Sequence, residues 1–365
     1  MFKKKEPLFH IVKRGEMPWY FSWGVRAAGI ALALLCCALI STLVTSENPI
    51  GIFATIIDGS FGSGRKFMTM LQNTSMLLCI ALALTPAFKM RFWNIGGEGQ
   101  ALAGALASAA CMILMKNQPN AVVIPCMIVT SLAAGALWGA VPAFFKAKFG
   151  TNETLFTLMM NYVAIQLVAY FSVVWENPRG SGNIGVINPT SHIGWFPEIL
   201  GSKYALNIII VALVTVGMYV YLNYSKHGYE ISVVGESERT AKYIGIKVDR
   251  VIIRTMVLSG AICGLAGLLL VGGTNHTLNA AIVDGRGFTA VMVSWLGKFN
   301  PIWMILTSFL LVFLGRGAGE IATDFGLNAS FGDILTGIIL FFIIGCEFFI
   351  TYKVNFAKKE GETNA

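Results

Sequence analysis

Residues 205–222 read ALNIIIVALVTVGMYVYL, with no charged side chain and no proline. As an α-helix, at about 1.5 Å per residue, this run nearly crosses a hydrocarbon core ~30 Å thick. Inside lipid a backbone must bond to itself, which makes such a run helical. Comparable runs occupy 26–45, 70–88, 99–115, 121–144, 154–175, 254–273, 301–319 and 333–350. A weaker one, 287–298, holds Phe288, Val291, Met292, Val293, Trp295 and Leu296, and reads as short or re-entrant. The fold class expected is all-α: a polytopic membrane helical bundle of about ten transmembrane helices.

Composition agrees. The chain is 55% hydrophobic and 13% charged, with a mean hydropathy of +0.68. Soluble domains carry about 25% charged residues, so the bilayer is the natural solvent. The net charge of +8 is scattered in short clusters between apolar runs. That distribution argues against nucleic acid as a partner and fits basic loops held at the cytoplasmic face. With ten crossings and a cytoplasmic N-terminus, only Arg65, Lys66, Lys116, Arg179, Lys203, Arg286 and Arg316 of the 27 Lys and Arg fall outside. Both termini are therefore expected inside. The domains read as a cytoplasmic segment 1–25, a permeation domain 26–350 with an inner loop at 223–253, and a cytoplasmic tail 351–365. The basic start superficially resembles a signal peptide, but the apolar run to about Val44 is too long, and a retained first span is expected.

Soluble-enzyme chemistry finds no support. There is no HExxH, GxSxG or P-loop pattern, and the four histidines (His10, His192, His227, His276) are scattered. The seven cysteines lie in apolar stretches without a CxxC pair and read as buried free thiols. No metal site and no cofactor are expected on this chain.

Several segments stand out. Asn94-Ile95-Gly96-Gly97-Glu98-Gly99-Gln100 sits at the entrance to the third span. A carboxylate and an amide there are costly if they face lipid. They are either pathway residues, together with Asn161, or a helix-start turn with a solvated carboxylate. Asn161 and Gln166 could also simply bond across helices. The inner loop carries Gly235-Glu236-Ser237-Glu238-Arg239-Thr240-Ala241-Lys242-Tyr243-Ile244-Gly245-Ile246. Ser237 can cap a short helix that ends at Gly245, placing Ala241, Tyr243, Ile244 and Ile246 for docking a partner. An ordinary solvated loop is the alternative. Gly260, Gly264 and Gly267 signal tight helix packing. Asp284 and Arg286 are placed to pair, and Asp333 lies at the start of the last span. The loop 176–203, rich in Pro, Gly and Asn, reads as irregular and outward.

The stretch Asn94–Gln100, followed by Ala101-Leu102-Ala103-Gly104-Ala105, resembles the NIGGEGQ signature of permease subunits in bacterial nucleoside-type ABC importers. Asn152-Glu153 and Thr157–Tyr162 resemble a further stretch of that group. The inner loop, with Leu258–Ala261 and Gly264–Gly267, is similar to the coupling segment of the broader branched-chain amino acid and ribose permease superfamily. The resemblance implies a translocation pathway for nucleosides, with Asn94, Gly96, Gly97, Glu98, Gln100 and Asn161 as candidate residues. It implies coupling to an ABC ATPase subunit through Gly235, Glu236, Arg239, Ala241, Lys242, Gly245 and Ile246, with ATP held on that partner. It also implies a second, non-identical permease subunit and an extracytoplasmic substrate-binding lipoprotein or periplasmic protein. Alternatives are a permease for ribose-like sugars or branched-chain amino acids, or an ion-coupled secondary transporter. The near absence of charge at mid-span, with Glu347 near the inner end of the last span the nearest exception, counts against the last.

Overall fold

The computed structural model describes residues 9–15, 18–45, 48–199 and 201–356. Lys3, Lys4, Lys5, Lys358 and Lys359, used above for orientation, lie outside the described residues. The chain divides into two compact units, 1–67 with 313–365, and 68–312.

The first unit contains a strand β1 (Phe9–Lys13) and helices α1 (Trp19–Thr45) and α2 (Pro49–Phe61). It also holds the start of α3 (Gly64–Lys89), the second half of α12 (Pro301–Asp324), α13 (Ala329–Thr351) and a strand β2 (Tyr352–Phe356). Helix α2 escaped the sequence reading because it is short. Asn48 caps it by accepting from the Ile50 amide, and Pro49 pre-sets its first turn. α1 packs along α13, where Arg26 and Glu347 pair at 2.6 Å. That pairing answers the carboxylate near the inner end of the last span. Lys66 binds both Asp58 and Glu320, each at 2.6 Å. β1 and β2 pair antiparallel. The ends of the helical array therefore lie on one side, which requires an even number of crossings.

The second unit continues α3 and adds α4 (Gly97–Leu114), α5 (Asn120–Phe149), α6 (Glu153–Val174), α7 (Ala205–Tyr224), α8 (Lys226–Glu236), α9 (Glu238–Tyr243), α10 (Val248–Leu270) and α11 (Arg286–Leu296). Among the described residues nine helices are long and apolar enough to cross a membrane. α11, at 11 residues, is about 16 Å long, half a crossing. The irregular residues 276–285 supply the other half. They return from the far end of α10 to the bundle interior, and α11 then descends until Trp295 stacks on Trp93 at 5.4 Å, beside the end of α3. The weak span of the sequence is thus a broken tenth crossing, and the total is even.

α3, α4 and α10 form the buried centre of this unit; their apolar stretches are 67–78% buried, against 22–33% for α5, α6 and α7. Glycines permit this closeness. A methyl added at Gly260 would overlap the Gly135 carbonyl, at Gly264 the Ser131 carbonyl, and at Gly267 the Ala101 carbonyl. All seven cysteines are free thiols, of which Cys36, Cys111 and Cys126 are only half-buried.

Candidate functional site

The segment after α7 forms two capped helices. Ser225 caps α8 by accepting from the Gly228 amide at 3.0 Å, and Ser237 caps α9 through the Thr240 amide at 3.2 Å. Gly245, at φ +85, ends the turn after α9, as a left-handed C-terminal glycine should. The two faces differ sharply. Ala241 is fully buried against a core that includes Met90, Phe92, Ile231 and Val248, and Ile246 packs on the same cluster. A methyl at Gly235 would overlap the Lys89 carbonyl. The sequence reading placed Ala241 and Ile246 on the docking face with Tyr243 and Ile244; the structure turns Ala241 and Ile246 inward. Left outside are Glu236, Glu238, Arg239 and Lys242, with Ile244 and with Tyr243 at 92% exposure. α8 is also tied to α10 by Glu230 and Arg254 at 2.9 Å. Burial opposes ionisation of Glu230, but Arg254 and His227 outweigh it and hold the carboxyl below its usual range.

The Asn94–Gln100 stretch lies in the interior. Asn94 Oδ1 accepts from the Gly96 amide at 2.9 Å and from Gln100 Nε2 at 3.2 Å, while Asn94 Nδ2 donates to Ser259 Oγ on α10 at 3.2 Å. Asn161 Oδ1 accepts from the Gly99 amide at 2.8 Å, and its Nδ2 donates to the Ile95 carbonyl at 2.9 Å. Asn161 lies about 12 Å along α6 from Glu153, so α4 begins inside the bundle. Gln166 is exposed on the same helix. Gly96 and Gly97 are spaces: methyls there would press on Thr157 and Leu84.

Glu98, 5% exposed, spans to α11. Its Oε1 accepts from the Gly285 amide at 3.0 Å and its Oε2 from the Gly287 amide at 2.7 Å. A carboxylate at a helix N-terminus meets orphan N–H groups and the positive end of the dipole. Two helices thus begin inside the bundle, and the carboxylate of one satisfies the start of the other. Of the two readings of Glu98, the solvated cap does not hold, because the carboxylate is buried. Asn94, Gln100 and Asn161 are likewise bonded to the chain itself.

Above this clasp, toward the end of the unit opposite α8 and α9, a cavity of about 370 Å³ is lined by Thr69, Gln72, Asn73, Lys203, Tyr204, Asn275, Asn279, Asp284 and Arg286, among others. Arg286 lies between the two glycines held by Glu98. It reaches Asn73 Oδ1 at 3.5 Å and Asp284 at 3.8 Å. The expected Asp284–Arg286 pair is therefore present, at long range. Sequence reading missed Gln72 and Asn73, although two adjacent amides inside an apolar span were a legible signal. The loop 176–203 is irregular, as expected, but ordered by stacking. Trp195 lies 3.7 Å from the His276 ring and 4.4 Å from His192, and Glu176 accepts from the Gly180 and Gly182 amides.

A family model described as branched-chain amino acid transport system / permease component matches residues 67–344. The chain belongs to this permease family. It is similar to the guanosine ABC transporter permease protein NupP of Bacillus subtilis, 30% identical over 92% of this chain and 97% of that one. The nucleoside ABC transporter permease protein NupB of Lactococcus lactis is 28% identical over 82% and 85%. The glucose ABC transporter permease protein TsgB13 of Haloferax volcanii is 25% identical over 94% and 93%. The permease is a multi-pass cell-membrane protein, the transmembrane subunit of an ABC transporter, and it works with an ATPase partner.

Proposed function

We propose that this permease carries nucleosides inward, driven by ATP hydrolysis on a separate subunit. The observation that carries the substrate is the similarity to the guanosine permease over nearly the full length of both chains. The site geometry supports the mechanism. The exposed face of Glu236, Glu238, Arg239, Lys242 and Tyr243 receives the ATPase. Gly235, Ala241, Gly245 and Ile246 act beneath it, as close packing and a turn that bind that face to α3 and α10. A push on α9 is then felt by α10, whose Ser259 holds Asn94. Asn94, Gly96, Gly97, Glu98, Gln100 and Asn161 serve as the interior clasp between α4 and α11. Opening and closing that clasp is the two-state change that alternating access requires.

In this reading ATP stays on the partner, and the permease performs no chemistry of its own. A second, non-identical permease chain completes the pathway, and a substrate-binding lipoprotein or periplasmic protein delivers nucleoside to the outer face, above the polar cavity. The similarity to a glucose permease favours a second reading, in which the cargo is a sugar. Uptake of labelled guanosine by cells with and without the gene, against unlabelled glucose, ribose and leucine, decides between them. Loss on deletion that the competitors do not mimic supports nucleosides. Unchanged guanosine uptake with lost sugar uptake overturns them.

A further inference from the structure

Resting on the reading of α8 and α9 as the helices that meet the ATPase, we infer that Trp93 and Trp295 are positioning residues, whose stacked rings carry a movement of those helices to α11 and so to the Glu98 clasp. The core beneath α8 and α9 holds Met90 and Phe92 but no residue of α11. Three consecutive residues make the bridge. Phe92, 3% exposed, lies in that core with Ile231 and Val234 of α8 and Ala241 of α9. Trp93 stacks on Trp295, in the last turn of α11, at 5.4 Å and 24°. Asn94 bonds to Gly96, Gln100 and Ser259 in the interior. Residues 92–95, between α3 and α4, form neither helix nor strand. A displacement of Phe92 therefore passes directly to its two neighbours.

The two helix ends that meet here close in the same way. After α3 the left-handed residue is Arg91, at φ +61, and after α11 it is Lys298, at φ +49. In each case the next amide reaches back over the turn. Phe92 donates to the Ala87 carbonyl at 2.9 Å and Phe299 to the Ser294 carbonyl at 3.0 Å, the six-to-one bond of a helix-ending turn. Phe299 lies 5.1 Å from Trp295, and Phe88 lies 6.1 Å from Trp93 and 6.3 Å from Trp295. Each tryptophan is thus braced by a phenylalanine of its own helix end. Trp93 and Trp295 are nevertheless 45% and 46% exposed. A core contact would bury them, whereas a ring pair this open is weak enough to part and re-form. A tryptophan that only anchors a span at the membrane surface needs no partner ring. α11 has 11 residues, so Trp295 and the Gly285 and Gly287 amides held by Glu98 lie only about three turns of helix apart. Movement at Trp295 therefore arrives at the clasp.

The test measures labelled guanosine imported per ATP hydrolysed, in vesicles holding the whole transporter: wild type, Trp295→Ala and Trp295→Phe. The ratio is internal to each preparation, so a lower yield of protein, or a purely anchoring role for the ring, does not move it. Trp295→Ala is expected to hydrolyse ATP within about twofold of wild type while the ratio falls about fivefold or more, the size of a typical coupling between sites. Trp295→Phe, which keeps a ring face, is expected to return the ratio to within about twofold. A Trp295→Ala ratio equal to wild type overturns the assignment and leaves α8 and α9 as the coupling helices. An equal fall in both variants overturns it too, since the ring face is then not what carries the movement. Wild-type uptake that does not depend on ATP hydrolysis overturns the coupling reading, and this inference with it. Should Trp295→Ala fail to accumulate, Trp295→Leu, with apolar bulk and no ring, takes its place under the same expectations. Hydrogen exchange of the wild type gives an independent check. The amides of 286–296 are expected to change in rate about threefold or more between nucleotide-free and ATP-bound transporter; an unchanged rate overturns the delivery of movement to α11.

Discussion

Glu98 shows what a single residue contributes to the second unit. Its two oxygens accept from two backbone amides 187 and 189 residues further along the chain, so one carboxylate secures the start of a half-length helix. Glu98→Gln keeps the shape but replaces one acceptor with a donor that faces an N–H. The expected cost is roughly 1–3 kcal/mol, read as a fall of several degrees in the melting temperature of the purified transporter. On the proposed mechanism, in which this contact opens and closes, transport is expected to fall at least tenfold. Unchanged melting and unchanged uptake would remove Glu98 from the mechanism. The sequence made half of this legible. A carboxylate beside three glycines at a span entrance must find a partner, since lipid offers none. Which partner could not be read, because no local pattern links residue 98 to residue 285.

At the scale of elements, the long helices were readable because the requirement they meet is local: enough apolar residues in a row, with self-satisfied backbone. α2, α8 and the β1–β2 pair were not, since a short helix rests on one cap and a strand pair on residues at opposite ends of the chain. The broken crossing 276–296 was half legible, as a run too short to span. The outer loop was read as irregular because Gly and Pro interrupt it, yet side-chain stacking holds it. Trp195 lies flat on His276 at 3.7 Å and stacks on His192 at 4.4 Å. Trp195→Ala removes both ring contacts, and limited proteolysis within 176–203 is expected to quicken at least threefold in the variant. An unchanged rate would show that the stack does not order the loop.

For the molecule as a transporter, the second unit carries a charged, aromatic-bearing face at one end and a polar cavity at the other, with the α4–α11 clasp between them. These three features lie along α3 and α10, which are buried and closely packed in the centre of the unit. Packed elements with two discrete arrangements are what allow a partner's state at one end to bias an interior equilibrium. Two substitutions on α9 separate the contact from the connection. Arg239 is exposed, and Arg239→Glu reverses charge on the outer face of α9 without touching the core. Ala241 is buried and donates its amide to the Ser237 carbonyl at 3.0 Å. Ala241→Pro deletes that bond and distorts the helix, at a cost of about 3 kcal/mol. In reconstituted transporter, Arg239→Glu is expected to weaken association with the ATPase, with a matching loss of uptake. Ala241→Pro is expected to leave the partner bound and ATP hydrolysed while uptake falls at least tenfold, which is uncoupling in the strict sense. Wild-type uptake by both variants would refute a coupling role for α9, and equal loss of ATPase binding in both would show that the buried face serves only to shape the exposed one.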